Sequence, residues 1–210
     1  VRPARAPLVP SRRLFRSTTR NLEARLAFLT GHGEIVIKPL DECSGRGFDR
    51  LASDAPDASV RLEALLKGPD GKARFITAQK FLGEVAGGDK RVYLAGGEPV
   101  GLVNRIPAEG GWLGNIHQGA ICAPTLLTPG EHAAIERIRP FLLDNGIFLA
   151  GLDFIRGHPT EINITSPSAI RQINAGPGLE VHNRVVDLIL ERLEAPSALP
   201  QTRTRTRTAF

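Results

Sequence analysis

Apolar positions change their period several times along the chain, and each change marks a predicted element. Leu22, Leu26 and Leu29 recur at helical spacing, which predicts a helix over Asn21–Thr30 with Thr18, Thr19 or Asn21 as its cap. Gly31–Gly33 breaks it. Glu34–Lys38 (EIVIK) reads as a short buried strand ending at Pro39, and Asp41–Asp49 (DECSGRGFD) as a glycine-containing loop. A helix over Asp57–Leu66 is stopped by Gly68–Gly71, and Ala73–Leu82 reads as a strand. Lys90–Ala95 and Glu98–Asn104 form a predicted hairpin across Gly96–Gly97. Ile106–Thr125 has few periodic apolar positions and several glycines, the pattern of a long loop that is either functional or disordered. Thr128-Pro-Gly-Glu131 has the form of a capping box, opening a helix to about Asn145 with a kink near Pro140. Leu149–Ile155 and Thr160–Ile164 read as strands joined through a turn at Gly157. His182–Glu194 reads as an amphipathic helix ended by Pro196. The Pro/Arg-rich leader 1–16 and the tail 196–210, with its RTRTRTRT run, are expected to be disordered.

The last hairpin concentrates chemistry. Pairing across the short Arg156–His158 loop puts Asp153 opposite Glu161, and alternation puts Asn163 on the Glu161 face. Like charges directly opposite in a sheet destabilise it by roughly 0.2–1 kcal/mol, so this cluster needs a reason. A hard cation is one, because Mg²⁺ takes oxygen ligands and shares them with substrate phosphates. Lys38, at a strand end beside a glycine loop, can reach a nucleotide phosphate; a solvated lysine capping the strand is the alternative. Backbone N–H groups near Gly45 and Gly47 can cradle phosphate oxygens, although the loop is not a Walker motif. Asp89 and Arg91 share a strand face, and Arg105 on the partner strand adds a second guanidinium. An exposed ion-pair ladder is the alternative there. His117 has no Ser or Cys nucleophile paired with it, and the other histidines show no metal spacing. Trp112 fits a lid anchor or a core residue equally well.

Charge and composition narrow the classes. The net charge of +5 is terminal: residues 1–25 carry +6, residues 201–210 carry +3, and the body between them carries −4. That argues against a nucleic-acid-binding face on the domain. No apolar run approaches the ~20 residues needed to cross a bilayer, and no signal peptide is legible, so a cytoplasmic protein without a membrane partner is expected. Cys43 and Cys122 have no metal-ligand spacing and read as reduced thiols. The chain begins at Val1 and contains no Met, so its natural start is expected upstream.

The motifs IVIKPLD, a glycine loop, AQKFL, GGDKRV, GGEPV, NRIP, GN and GLDFIRGHPTEINITSPSAIR follow one another in an order that resembles the ATP-grasp portion of bacterial glutathione synthetases. The similarity runs from about Thr18 to Glu194. It implies an α+β ATP-grasp fold, with two α+β subdomains and ATP bound between antiparallel sheets. It also implies a domain over 17–195: a glycine-loop subdomain at about 17–78, a hinge at 79–82 and a catalytic subdomain at 83–195. By this resemblance Lys38, with Gly45 and Gly47, binds ATP phosphates. Gln79, Lys80, Phe81 and Leu82 form the adenine-side hinge. Asp89 lies near ribose and substrate, and Asp153, Glu161 and Asn163 hold Mg²⁺, with Mn²⁺ as an alternative. Arg91 and Arg105 face the peptide substrate and the transferred phosphoryl group, while Asn115, Ser166 and Pro167 contact substrate. The implied partners are ATP, γ-glutamylcysteine and glycine; a homo-oligomer stays open. Glu42 and Ser44 depart from the family's glycine loop, and the family's preceding α/β domain has no counterpart in these residues.

Overall fold

The computed structural model describes residues 16–40, 42, 45–68, 70–176 and 180–194. Most of the predicted leader, the tail, Asp41, Cys43 and Ser44 lie outside the described residues. Two antiparallel sheets form, the first with one core and the second with a core on each face.

The first sheet contains β1 (Arg16–Thr19), β2 (Glu34–Pro39), β3 (Asp49–Ala52) and β4 (Ile76–Lys80), in the order β1-β4-β2-β3. Helices α1 (Leu22–His32) and α2 (Ala58–Leu65) cover it. Of the three candidate caps for α1, Asn21 serves: its side chain accepts from Ala24 N at 2.8 Å. Ile35, Ile37, Leu51, Leu62 and Ile76 are fully buried between helices and sheet. Arg16, which composition places in the leader, belongs to β1. The strand expected over Ala73–Leu82 is shorter at both ends, because pairing with β2 runs only from Pro39–Ile76 to Ile35–Lys80.

The second sheet contains β5 (Asp89–Ala95), β6 (Glu98–Ile106), β7 (Ile121–Ala123), β8 (Leu149–Ile155) and β9 (His158–Asn163), in the order β7-β6-β5-β8-β9. Gly96 and Gly97 turn the β5–β6 hairpin with φ of 60° and 84°, as a two-residue primed turn requires. The stretch 106–125 is only partly a loop: a 3₁₀ turn spans Ile116–Gln118, and β7 pairs with the end of β6. Helix α3 (Pro129–Asp144) packs on one face of the sheet through Ile135, Ile138 and Leu142. Its predicted capping box has both reciprocal hydrogen bonds, and the helix runs on through Pro140. The short α4 (Ile170–Ile173) and α5 (Val181–Glu194) cover the other face. No helix among the described residues is long and apolar enough to cross a membrane.

Side-chain alternation along β5 sorts its residues. Lys90, Val92 and Leu94 face α3, while Asp89, Arg91, Tyr93 and Ala95 face the α4–α5 side. The candidate chemistry therefore occupies one end of the α4–α5 face.

Candidate active site

Strand order brings the charged residues together. Arg91 lies opposite Asp153 across β5–β8, and Asp89 lies opposite Arg105 across β5–β6. Arg91 grips Asp153 with two parallel bonds, Nε to Oδ1 and Nη2 to Oδ2 (2.8 Å). Its remaining nitrogen, Nη1, donates to Ser168 O at 3.3 Å. Arg105 bridges the two acids, with Nη2 2.6 Å from Asp89 Oδ2 and 3.1 Å from Asp153 Oδ2. Arg91, Arg105 and Asp153 are 6%, 4% and 2% exposed, which rules out the exposed ladder considered from sequence.

This network splits its two acids. Burial pushes the Asp89 carboxyl up to about 7, helped by the neighbouring Asp153 charge and opposed by Arg105, Arg91 and Lys38. Burial also penalises Asp153, but the hydrogen bond and charge of Arg91, with Arg105 behind them, outweigh it and hold this carboxyl below its usual range. Asp89 Oδ1 is buried without a hydrogen-bond partner among the described residues. Gly114 of the 106–125 segment lies directly over it: a Cβ there would come within 2.7 Å of Asp89 Cβ.

The hairpin register is the one expected. Asp153 pairs with Glu161 and Gly151 with Asn163, with a bulge after Asp153. Asn163 Nδ2 lies 3.4 Å from Asp153 Oδ2, and Glu161 is exposed with no hydrogen-bond or ion-pair partner among the described residues. No group of three or more His, Cys, Asp or Glu side chains is gathered for a metal among the described residues. The candidate set is instead two carboxylates and a carboxamide. Its donors are all oxygens, the kind a hard cation takes; Asp153 Oδ2 already meets Arg91, Arg105 and Asn163, so Asp153 Oδ1 and the exposed Glu161 carboxylate are the more open positions.

Glu161 also lines a cleft of about 330 Å³ between the two sheets, with Lys38, Thr77, Gln79, Glu42 and Arg16 among its other walls. Gln79 Nε2 donates to Thr160 O at 3.2 Å across it. Lys38 Nζ sits 5.1 Å from the centre of the Phe48 ring. Gly45 and Gly47 adopt φ of 78° and 66°, a conformation that glycine takes without strain. A Cβ on Gly45 would come 3.0 Å from Asn115 Oδ1, so the glycine loop and the 106–125 segment touch. At the crossing between sheets, Phe81 N donates to Glu34 O at 3.0 Å. The Phe81 ring takes the Arg50 guanidinium at 3.9 Å on its face, and Trp112 meets it edge-on at 6.2 Å. Lys80 ends β4 and Leu82 is half-buried just beyond it. Pro167 packs against Gly151 beside Arg91, and Ser166 stays exposed. Ala169, just past Ser168, holds a φ of 101°, a strained conformation of the kind found at functional sites.

A family model described as the ATP-grasp domain of prokaryotic glutathione synthetase matches residues 13–177. The chain belongs to this family. It is 35% identical over 178 residues to the glutathione synthetase of Vibrio vulnificus (strain CMCP6), covering 84% of this chain and 55% of that protein. It is 38% identical over 175 residues to the glutathione synthetase of Neisseria meningitidis serogroup A, covering 83% and 54%. The chain thus spans about half the length of the curated relatives it matches. Among solved structures, the ATP-grasp ligase PsnB complexed with minimal precursor, Mg, and ADP superposes with a TM-score of 0.58 at 17% identity, over 84% of this chain and 52% of that one. The expected α+β ATP-grasp fold is the one observed.

Within this glutathione synthetase ATP-grasp domain, sequence reasoning missed three placements. Arg16 lines the cleft, Gly114 roofs Asp89, and Lys90 pairs with Glu131 of α3 at 2.6 Å. The capping-box Glu131 was a signal for the last; its second partner depended on how α3 packs.

Proposed function

We propose that this chain is the nucleotide-binding and catalytic part of an ATP-dependent carboxylate–amine ligase that joins γ-glutamylcysteine to glycine. What carries the reading is one arrangement: Lys38 and Glu161 line a single cleft, and the buried Arg91–Asp153–Arg105–Asp89 network lies in register beside Glu161.

ATP lies in this cleft with its base at Gln79, Lys80, Phe81 and Leu82, its ribose toward Asp89, and its phosphates at Lys38 and the N–H groups near Gly45 and Gly47. Asp153, Glu161 and Asn163 would hold Mg²⁺, with Mn²⁺ as an alternative. When bound, the metal neutralises phosphate charge. A carboxylate oxygen of γ-glutamylcysteine attacks the γ-phosphorus, the bond to ADP breaks, and an acyl phosphate forms. The glycine amine then attacks the acyl carbon, phosphate leaves and the amine gives up its proton. Phosphoryl transfer asks a protein mainly for positioning and charge, which Lys38, Arg91 and Arg105 supply. Asn115, Ser166 and Pro167 hold substrate, and the 106–125 segment keeps water from the acyl phosphate. A reduced thiol at Cys122 and ATP as co-substrate fit a cytoplasmic setting.

Isothermal titration with Mg-ATP tests the binding half. Release of phosphate on adding γ-glutamylcysteine and glycine tests the chemistry. ATP binding without that release would leave a nucleotide-binding module or a ligase for another acid and amine. Glu42, which adds a carboxylate to the cleft beside the glycine loop, favours this second reading.

A further inference from the structure

Arg16 occupies an edge strand in a stretch whose composition reads as leader, yet it faces the cleft. β1 pairs antiparallel with β4, and Arg16 lies opposite Gln79. On the other side of β4, Lys38 of β2 lies opposite Thr77. Residues directly opposite one another share a sheet face, as do residues two apart on a strand. Arg16, Gln79, Thr77 and Lys38 are therefore on one face, and all four line the same cleft. The Arg16 row is one pleat, about 7 Å, closer to the crossing at Phe81 than the Lys38 row. The Arg16 guanidinium is exposed and makes no side-chain hydrogen bond or ion pair among the described residues, unlike Arg91 and Arg105, whose charge is already matched.

An exposed guanidinium that no carboxylate among the described residues pairs with, a pleat away from a lysine on the wall of a nucleotide-sized cleft, is suited to an oxyanion it can bind with two parallel N–H bonds. We propose that Arg16 is a second phosphate-binding cation of this cleft, gripping the nucleotide's phosphate chain on its base-proximal side while Lys38 holds the far side. The assignment rests on the nucleotide reading above and adds to it a residue from β1.

Calorimetric titration of the full chain, Arg16→Ala and Arg16→Lys with Mg-ATP, and of the same proteins with adenosine, tests it. Thermal melts of each confirm that β1 is kept. Arg16→Ala should bind Mg-ATP about tenfold more weakly. Adenosine affinity should not change. Arg16→Lys should recover part of the loss, since it keeps the charge but not the fork. Mg-ATP affinity in Arg16→Ala within twofold of the parent, or an equal loss for adenosine, overturns the assignment while leaving the nucleotide reading intact. A parent chain that does not bind Mg-ATP overturns both. If Arg16→Ala melts early, Arg16→Gln, which keeps the polar stem, gives the comparison.

Discussion

Asp153 and Glu161 sit opposite each other and hold opposite positions energetically. Asp153 is 2% exposed and matched by two guanidinium groups, whereas Glu161 is exposed and has no ion-pair partner among the described residues. Asp153→Asn should therefore destabilise the fold, by about 3 kcal/mol, because it leaves Arg91 and Arg105 buried beside a neutral group. Glu161→Gln should leave the melting temperature nearly unchanged and weaken Mg-ATP binding. Urea denaturation and calorimetry on the two variants check this contrast. Asp89 gives a pH signature. Its carboxyl titrates near 4 in the unfolded chain and at about 7 in the fold. The folded state thus keeps a proton that the unfolded state has released. This contribution to stability is full below about pH 4 and lost as pH rises through about 7. Asp89→Asn should remove that decline, and urea midpoints for both proteins between about pH 5 and about pH 8 measure it. The Asp153–Glu161 pairing was legible in sequence because a short turn and period-two alternation fix it locally. The Arg105–Asp153 bond was not, since it depends on β5 lying between β6 and β8.

Among the elements, α3 is the one tied hardest to the site. Lys90 Nζ donates to Glu131 Oε2 at 2.6 Å and to Leu126 O at 2.7 Å, while Glu131 Oε2 accepts from Thr128 N at 2.8 Å. One lysine between Asp89 and Arg91 thus fastens the start of α3 and the end of the segment that covers Asp89. Burial penalises the Glu131 charge, but Lys90 and the Thr128 N–H outweigh it and hold this carboxyl below its usual range. Its stabilisation is present above about pH 4 and lost as pH falls further. Lys90→Met should cost about 3 kcal/mol by stranding Glu131, and adding Glu131→Gln should recover part of it. A double-mutant cycle in urea reads the coupling. The helix itself was legible because the capping box and Pro129 are local signals. Strand β1 was hidden, because an edge strand of four residues is defined by a partner about 60 positions away.

At the scale of the molecule, two separately packed sheets meet across a thin boundary. The hydrogen bond from Gln79 to Thr160 crosses it, and the chain itself passes at Phe81 and Leu82. A ligand filling the cleft would join sheets that otherwise share few contacts. Mg-ATP at about 100 times its Kd should add about 2.7 kcal/mol of stability. For a chain of this size, that corresponds to a rise of about 5–10 °C in melting temperature. Differential scanning calorimetry with and without nucleotide measures it. The fold class was legible because the motifs follow one another in the family's order; the cleft was not, because neither sheet contains it alone. Trp112 is the chain's single tryptophan, and it rests edge-on against Phe81 at that boundary. Its fluorescence is therefore a built-in optical gauge: emission intensity and wavelength report whether the segment over Asp89 is seated, without any label.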